Sequence, residues 1–162
     1  GAASADPGAY GADGINAASI GQMLQYGKPY GATAFDASYQ IDYDAIGEWT
    51  VCPEGYAVPT LDQFNAAIAK VTGGTISGNG VSGNAGITLT LMNSVMKLPI
   101  GGWLTNGDTQ PQAYGEAAAY WTSSKGSNTA PWKVDINNSS ASNTGANWAD
   151  AAWQLPVRCI KK

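Results

Sequence analysis

Apolar residues recur at helical spacing in one segment of this chain more clearly than anywhere else. Phe64, Ile68 and Val71 follow one another at intervals of four and three residues, which places them on one face of a helix. A T-x-x-Q capping box begins at Thr60, and a Gly-Gly pair at 73–74 supplies a stop signal. The pattern therefore predicts an amphipathic helix that begins just after Thr60.

Weaker patterns occur in the rest of the chain. Apolar spacing predicts a short helix from about Asn16 to Gly27, and residues 73–86 are rich in Gly, Ser and Asn, which predicts a surface loop. Residues 87–96 fit either a strand or a helix. Strands are predicted at 30–51 (one or two), 98–104, 118–122, 132–136 and 151–160, the last interrupted by Pro156. Short strands with helices confined to the first half predict an α+β fold.

Composition narrows the class of protein. The 162 residues suffice for one ordinary domain with a real core, and only 12% of them are charged. A surface built from Ser, Thr, Asn, Gln and Gly is more typical of an extracellular or cell-surface protein than of a cytosolic one. The net charge of −4 gives no reason to expect nucleic acid or an anionic membrane as partner. No apolar run approaches the roughly 20 residues that a membrane span needs.

The two cysteines, Cys52 and Cys159, lie near the beginning and the end of one long stretch. An even count in a chain of low charge favours a disulfide, which would bring the two ends of a domain side by side. Closing a loop of this length stabilises by about 4–5 kcal/mol on the chain-entropy model. The alternative is two unrelated buried thiols.

The chain has no histidine, and this excludes many kinds of active site. Neither a Ser-His-Asp triad nor an HExxH zinc site nor a Cys-His nucleophile can be assembled. Two cysteines are too few for a structural zinc site without histidine. We therefore expect no enzyme, no catalytic residues, no cofactor and no metal site.

Four short sequence motifs follow one another along the chain. They are Cys52-Pro-Glu-Gly-Tyr-Ala-Val-Pro-Thr60, Leu98-Pro-Ile-Gly-Gly-Trp103, Tyr120-Trp-Thr-Ser-Ser124 and Pro156-Val-Arg-Cys-Ile-Lys161. Together they resemble the Fibrobacter succinogenes major paralogous domain, a family of bacterial surface proteins with a C-type lectin-like fold. The resemblance implies a C-type lectin-like domain at 51–162, with two helices flanking small, mostly antiparallel sheets and termini close together. Residues 1–50 are an N-terminal extension or the first part of the domain.

The resemblance also implies secretion or surface anchoring in Bacteroidetes-like bacteria. The same fold carries the variable proteins of diversity-generating retroelements, in which mutagenesis of adenines randomises a binding face. The Asn-, Ser- and Gly-rich stretch 137–150 has the composition that such codons encode. The alternative is that this stretch is an ordinary loop.

Aromatic and amide side chains before the final strand supply the candidate binding site. We assign Trp103 and Trp121 to the core, leave Trp132 open, and place Trp153 in the core by default. Trp148 is then the surface candidate, because tryptophan is favoured at binding hot spots. The predicted ligand-binding residues are Asn137, Asn138, Asn143, Asn147, Trp148 and Asp150.

Calcium-dependent sugar binding is not expected. The C-type lectins of animals use a Glu-Pro-Asn loop and a Trp-Asn-Asp triplet, whereas this chain has Asn147-Trp148-Ala149-Asp150 in a different order and no Glu-Pro-Asn. The sequence thus predicts a non-catalytic module, an adhesin or receptor, that binds a protein or carbohydrate ligand on another cell or surface through a loop face at about 125–153. The alternative is an assembly subunit of a pilus or phage tail that associates through residues 1–50. The oligomeric state stays open.

Overall fold

The computed structural model describes residues 23–29, 31–32, 34–78, 80–82, 94–105, 108, 110–127, 130–137, 144–148 and 151–162. Within these ranges the helices are α1 (Tyr43–Ile46) and α2 (Leu61–Thr72), and the strands are β1 (Leu24–Gln25), β2 (Tyr56–Ala57), β3 (Thr75–Ser77), β4 (Gly80–Ser82), β5 (Ala117–Lys125), β6 (Pro131–Asn137), β7 (Thr144–Trp148), β8 (Gln154–Leu155) and β9 (Ile160–Lys161). This mixture of helices and small antiparallel sheets confirms the α+β class. None of the helices in these ranges is long and apolar enough to cross a membrane.

A five-stranded antiparallel sheet, in the order β3-β4-β7-β6-β5, separates two hydrophobic clusters. Side chains alternate between the two faces of a strand. Accordingly Ala118 and Tyr120 of β5 belong to one cluster, while Ala119 and Trp121 belong to the other. Helix α2 covers the face that bears Ala118 and Tyr120. We call the cluster on the opposite face, which contains Ala119 and Trp121, the second cluster.

Helix α2 forms where the sequence predicts it. The hydroxyl of Thr60 accepts the backbone N–H of Gln63 at 3.1 Å, and the Gln63 side chain accepts the backbone N–H of Thr60 at 2.9 Å. The helix ends at Gly73, whose φ of 71° is left-handed and whose N–H bonds the carbonyl of Ala69. Phe64 lies on the buried face, which packs against the sheet. The prediction of this helix, including its cap, is confirmed.

The second cluster joins distant parts of the chain. Leu24, Tyr26 and Trp49 pack in it together with Trp121 and Leu155. The segment before residue 51 therefore shares a core with the last strands, whereas the division of the chain near residue 50 stays a prediction.

The beginning and the end of the stretch 52–162 lie side by side. Cys52 and Cys159 form a disulfide with a Cα–Cα distance of 5.8 Å. Next to it β2 pairs with β9, with Tyr56 opposite Lys161, and the N–H of Lys162 bonds the carbonyl of Gly55. The predicted disulfide and the predicted proximity of the two ends are both confirmed.

Two predictions for the first 50 residues are wrong in the part that the structure describes. The helix predicted up to Gly27 is absent from Met23 onward, because Leu24 and Gln25 form β1 and pair with β8. All four residues from 23 to 26 are buried, which leaves no polar helix face. In the segment 30–51 the only regular element described is α1, which Asp42 caps by accepting the backbone N–H groups of Asp44 and Ala45. These capping hydrogen bonds stabilise a helical turn, which competes with the strands predicted for this segment.

Further differences concern the sheets. The loop predicted at 73–86 contains the hairpin of β3 and β4, whose three-residue strands are too short to produce an alternating pattern. The segment 98–104 makes only isolated pairings at Gly102, Trp103 and Leu104, and the Tyr120 hydroxyl donates to the carbonyl of Pro99 at 2.6 Å. Strands β5 and β6 are confirmed. The predicted last strand is split around Pro156 into β8 and β9.

Candidate functional site

Strand β7 carries part of the predicted binding site. Asn147 and Trp148 are its last residues, and Asn137 is the last residue of β6. Asn138, Asn143 and Asp150 lie outside the described residues. Because β7 pairs with both β4 and β6, residues 144–148 form a strand within the region that the sequence predicts as a loop face, about 125–153. Its Asn and Gly are poor strand formers, and pairing on both sides overrides their propensity.

The register of β7 on β6 brings one predicted residue, Asn147, to a charged pair. Asn147 lies directly opposite Lys133, whereas Trp148 lies opposite Trp132, a position on the other face of the sheet. Asp135 follows Lys133 by two residues and therefore projects from the same face of β6. This is the face that also bears Trp121, which pairs with Lys133 on the β5 side.

Lys133 and Asp135 form a largely buried ion pair. The ammonium of Lys133 donates to both carboxylate oxygens of Asp135. The Lys133 side chain is 7% exposed, and that of Asp135 is 24% exposed. A buried lysine is costly unless a carboxylate compensates its charge, and here the partner lies on the same strand. The more accessible member of the pair is thus the carboxylate.

Trp153 completes this cluster from another segment. The Nζ atom of Lys133 lies 5.9 Å from the centroid of the Trp153 ring, within range of a cation–π interaction. Trp153 is half-buried and packs against the second cluster. We call Lys133, Asp135 and Trp153 the β6 triplet.

The backbone on both sides of Trp153 is firmly held. Gln25, which is 1% exposed, donates from Nε2 to the carbonyl of Ala152 at 2.8 Å. Gln154 and Leu104 exchange two backbone hydrogen bonds, of 2.8 and 3.0 Å. Because partners on β1 and on the segment 102–104 fix the residues before and after it, Trp153 occupies a defined position.

A polar turn follows Leu104, the residue that pairs with Gln154. Asp108 accepts from the backbone N–H of Thr105 at 3.0 Å and from the side-chain amide of Gln112 at 2.8 Å. These hydrogen bonds, that of the Thr105 backbone first, hold the pKa of Asp108 below its usual range. The carboxylate of Asp108 is therefore engaged by its own turn.

Sequence reasoning missed Lys133 and Asp135 and assigned Trp153 to the core. The available signal was the alternation within β6, where two charged residues interrupt a run of apolar ones. The contact with Trp153 gives no signal in the sequence, because twenty residues separate it from Lys133 and a further strand lies between them. For Trp121, which is fully buried, the core assignment is right.

The chemistry of this arrangement is that of binding. A carboxylate and an indole on a rigid frame can accept hydrogen bonds and contact an apolar ligand surface. Across the described ranges no three His, Cys, Asp or Glu side chains converge as metal ligands would. No protein-family model, curated protein or solved structure matches this chain.

Proposed function

We propose that this protein is a non-catalytic ligand-binding module with a C-type lectin-like fold. It binds through the face formed by β6, β7 and the segment 151–153. The observation that carries the proposal is the β6 triplet, in which the partly exposed carboxylate of Asp135 and the indole of Trp153 both contact Lys133, the residue opposite Asn147 of β7. These groups lie in the region, about 125–153, in which the sequence predicts the ligand face.

The joined ends of the stretch 52–162 support the proposed fold. In a loop-in-a-loop arrangement the first and last strands of the domain pair, as β2 and β9 do beside the disulfide. The family motif Leu98–Trp103 supports it as well, because Gly102 lies against the backbone of Gln112 and pairs with Ala118 of β5. Both features involve residues by which the chain resembles the family.

The disulfide also supports a place outside the cytoplasm. Disulfides form and persist in oxidising surroundings, such as the cell surface and the secreted state. We therefore propose an extracellular or cell-surface location. Diversification of 137–150 by a retroelement is part of the same proposal. Sequencing the flanking genome for a reverse-transcriptase gene and an adenine-mismatched copy of the coding segment tests it.

Alanine substitutions on β7 test the binding face. Purified protein is screened for binding to bacterial and host cell surfaces, and the Asn147→Ala/Trp148→Ala double variant is compared with wild type. We expect the double variant to lose about tenfold or more in affinity while its thermal unfolding stays cooperative. Tyr114→Ala is the matched control, because Tyr114 is an exposed aromatic residue outside this face. Undiminished binding by the folded double variant would refute the proposed face.

An assembly role is the second candidate, and the edge of the sheet favours it. All three residues of β3 are exposed, none is charged, and Ile76 is 50% exposed. In the described sheet β3 stands at one end of the strand order, so the exposed side chain of Ile76 can contact a second copy of the chain. Sedimentation at increasing concentration tests this role. Association that Ile76→Lys abolishes would support it, and a monomer at all concentrations would refute self-association through β3.

A further inference from the structure

We propose that the β6 triplet takes a neutral sugar without the help of a metal ion. A pyranose ring lies against the indole of Trp153, and its hydroxyl groups donate hydrogen bonds to the carboxylate of Asp135. This inference rests on the proposed function, since it names the ligand class of the same face.

The exposure of the ion pair decides which hydrogen-bonding group a ligand meets. Lys133 is almost completely buried, whereas the carboxylate of Asp135 remains partly exposed. An ionised carboxylate has about four acceptor sites and no donor. The two contacts with Lys133 leave acceptor capacity on the exposed side. The group that binds there must therefore donate hydrogen bonds, as sugar hydroxyls do.

The charge of the pair favours a neutral ligand over an ion. The ammonium of Lys133 already compensates the carboxylate, so a cationic ligand gains less from Asp135 than from an unpaired carboxylate. An anionic ligand meets Asp135 first and cannot reach the buried ammonium. A neutral hydroxyl needs no compensation and gains a charge-assisted hydrogen bond.

The indole supplies the apolar part of the contact. Trp153 is large, half-buried and packed on the second cluster, so part of the residue is accessible to a ligand. A flat aromatic surface beside polar groups suits the apolar C–H face of a pyranose. Lys133 lies over the same ring and joins the two halves of the site.

The frame around the site reduces the cost of binding. Gln25 fixes the backbone before Trp153, and Leu104 fixes the backbone after it. Asp135 is held by Lys133 within one strand. Little conformational entropy is therefore lost when a ligand binds, which favours affinity from a small contact area.

Replacement of the ion pair by apolar residues tests this inference. Lys133→Met/Asp135→Leu removes both charges together, and such exchanges are often neutral for stability because no unpaired charge is left. The matched control is Glu48→Leu/Lys162→Met, which removes the exposed ion pair between Lys162 and Glu48, whose N–O distance is 3.1 Å. Binding to immobilised mannan, β-1,3-glucan and galactan is measured in EDTA, beside polygalacturonate and a lysine-rich peptide.

We expect wild type and control to bind at least one neutral polysaccharide in EDTA, and the Lys133→Met/Asp135→Leu variant to bind about tenfold or more weakly. Trp153→Leu should show the same loss, whereas Trp153→Phe keeps a flat ring and most of the affinity. Cooperative thermal unfolding of each variant shows that a loss does not come from unfolding.

Three results would overturn the inference: binding only to polygalacturonate or to the peptide, binding that EDTA abolishes, or neutral-sugar binding unchanged in the folded ion-pair variant. Failure to bind any of the three neutral polysaccharides at millimolar sugar would overturn it too. If the protein still binds cells in a manner that Asn147→Ala/Trp148→Ala abolishes, the proposed function stands and only the ligand class is refuted. If wild type binds neither the neutral polysaccharides nor cells, both proposals are refuted.

Discussion

The indole N–H of Trp121 donates a hydrogen bond of 2.7 Å to the backbone carbonyl of Leu24, across 97 residues of sequence. Trp121 is fully buried at the centre of the second cluster, so this bond is shielded from water. It ties β1 to the central sheet at the point where the aromatic ring of Tyr26 also contacts Trp121, with ring centroids 5.5 Å apart. The stability of the sheet therefore depends on a segment that precedes the region of family resemblance.

Removal of residues 1–50 tests this dependence. We expect a fragment of residues 51–162 to lose cooperative thermal unfolding, because Leu155 and Trp121 lose their packing partners Leu24 and Tyr26. The less drastic Trp121→Phe keeps an aromatic side chain but removes the N–H donor to the Leu24 carbonyl and part of the buried volume, at a cost of at least about 1–3 kcal/mol. Near-ultraviolet circular dichroism and thermal melts measure both. A fragment that melts cooperatively near the temperature of the full chain would contradict the prediction.

Gly102→Ala should destabilise the protein severely. Gly102 has a φ of 62°, and an added Cβ atom would overlap the backbone carbonyl of Gln112. The variant therefore combines a left-handed backbone with a steric clash against main chain that must shift, and we expect a loss of more than about 3 kcal/mol.

Gly115→Ala is its matched control. Gly115 has a similar φ of 76°, but an added Cβ atom would meet no other atom within 4 Å. We expect only the backbone cost, of about 1–2 kcal/mol. Urea titrations of the two variants give the comparison, and equal losses would show that the contact with Gln112 is unimportant.

The disulfide should contribute strongly to stability. Cys52 and Cys159 are 107 residues apart, so the Cys52→Ala/Cys159→Ala variant should lose about 4–5 kcal/mol through the greater entropy of its unfolded chain. The exposed ion pair of Glu48 and Lys162 beside it should contribute less than about 1 kcal/mol, which Glu48→Gln measures. A cysteine-free variant as stable as wild type would show that β2–β9 pairing alone joins the ends.

Alkaline pH should destabilise the second cluster through Tyr26. Burial, followed by the neighbouring phenols of Tyr43 and Tyr39, raises the pKa of Tyr26 from 10.0 to about 12. The folded state thus binds the phenolic proton more tightly than the unfolded state does. The stabilisation is complete below about pH 10 and is lost as the pH rises toward 12, amounting to about 2–3 kcal/mol for this residue.

Urea titrations between pH 8 and pH 11.5 measure this loss. Tyr26→Phe cannot ionise, so its free energy of unfolding should fall less over the same range. Some decline should remain in the variant, because burial also raises the pKa of Tyr43 to about 12. Identical pH dependence of wild type and variant would contradict the role of Tyr26.

Local signals in the sequence predict α2 fully, with the capping box of Thr60 at its beginning and Gly73 at its end. They also predict β5, which begins with the apolar run Ala117–Trp121, and β6, in which apolar and charged residues alternate. Each of these elements is predictable from its own residues, because capping and periodicity act over a few residues. The disulfide is predictable because the sequence has two cysteines and no other candidate partner for either.

Tertiary contacts decide the rest. Leu24 and Gln25 form a strand because β8 pairs with them, and Thr144–Trp148 is a strand because β4 and β6 flank it. The β6 triplet likewise exists only once β6 and the segment before β8 are packed together. Thus the sequence by itself determined the elements whose signals are local and the bridge between its two cysteines. Only the tertiary structure decided β1, β7 and the candidate site, because their backbone partners and neighbouring side chains come from residues that are distant along the chain.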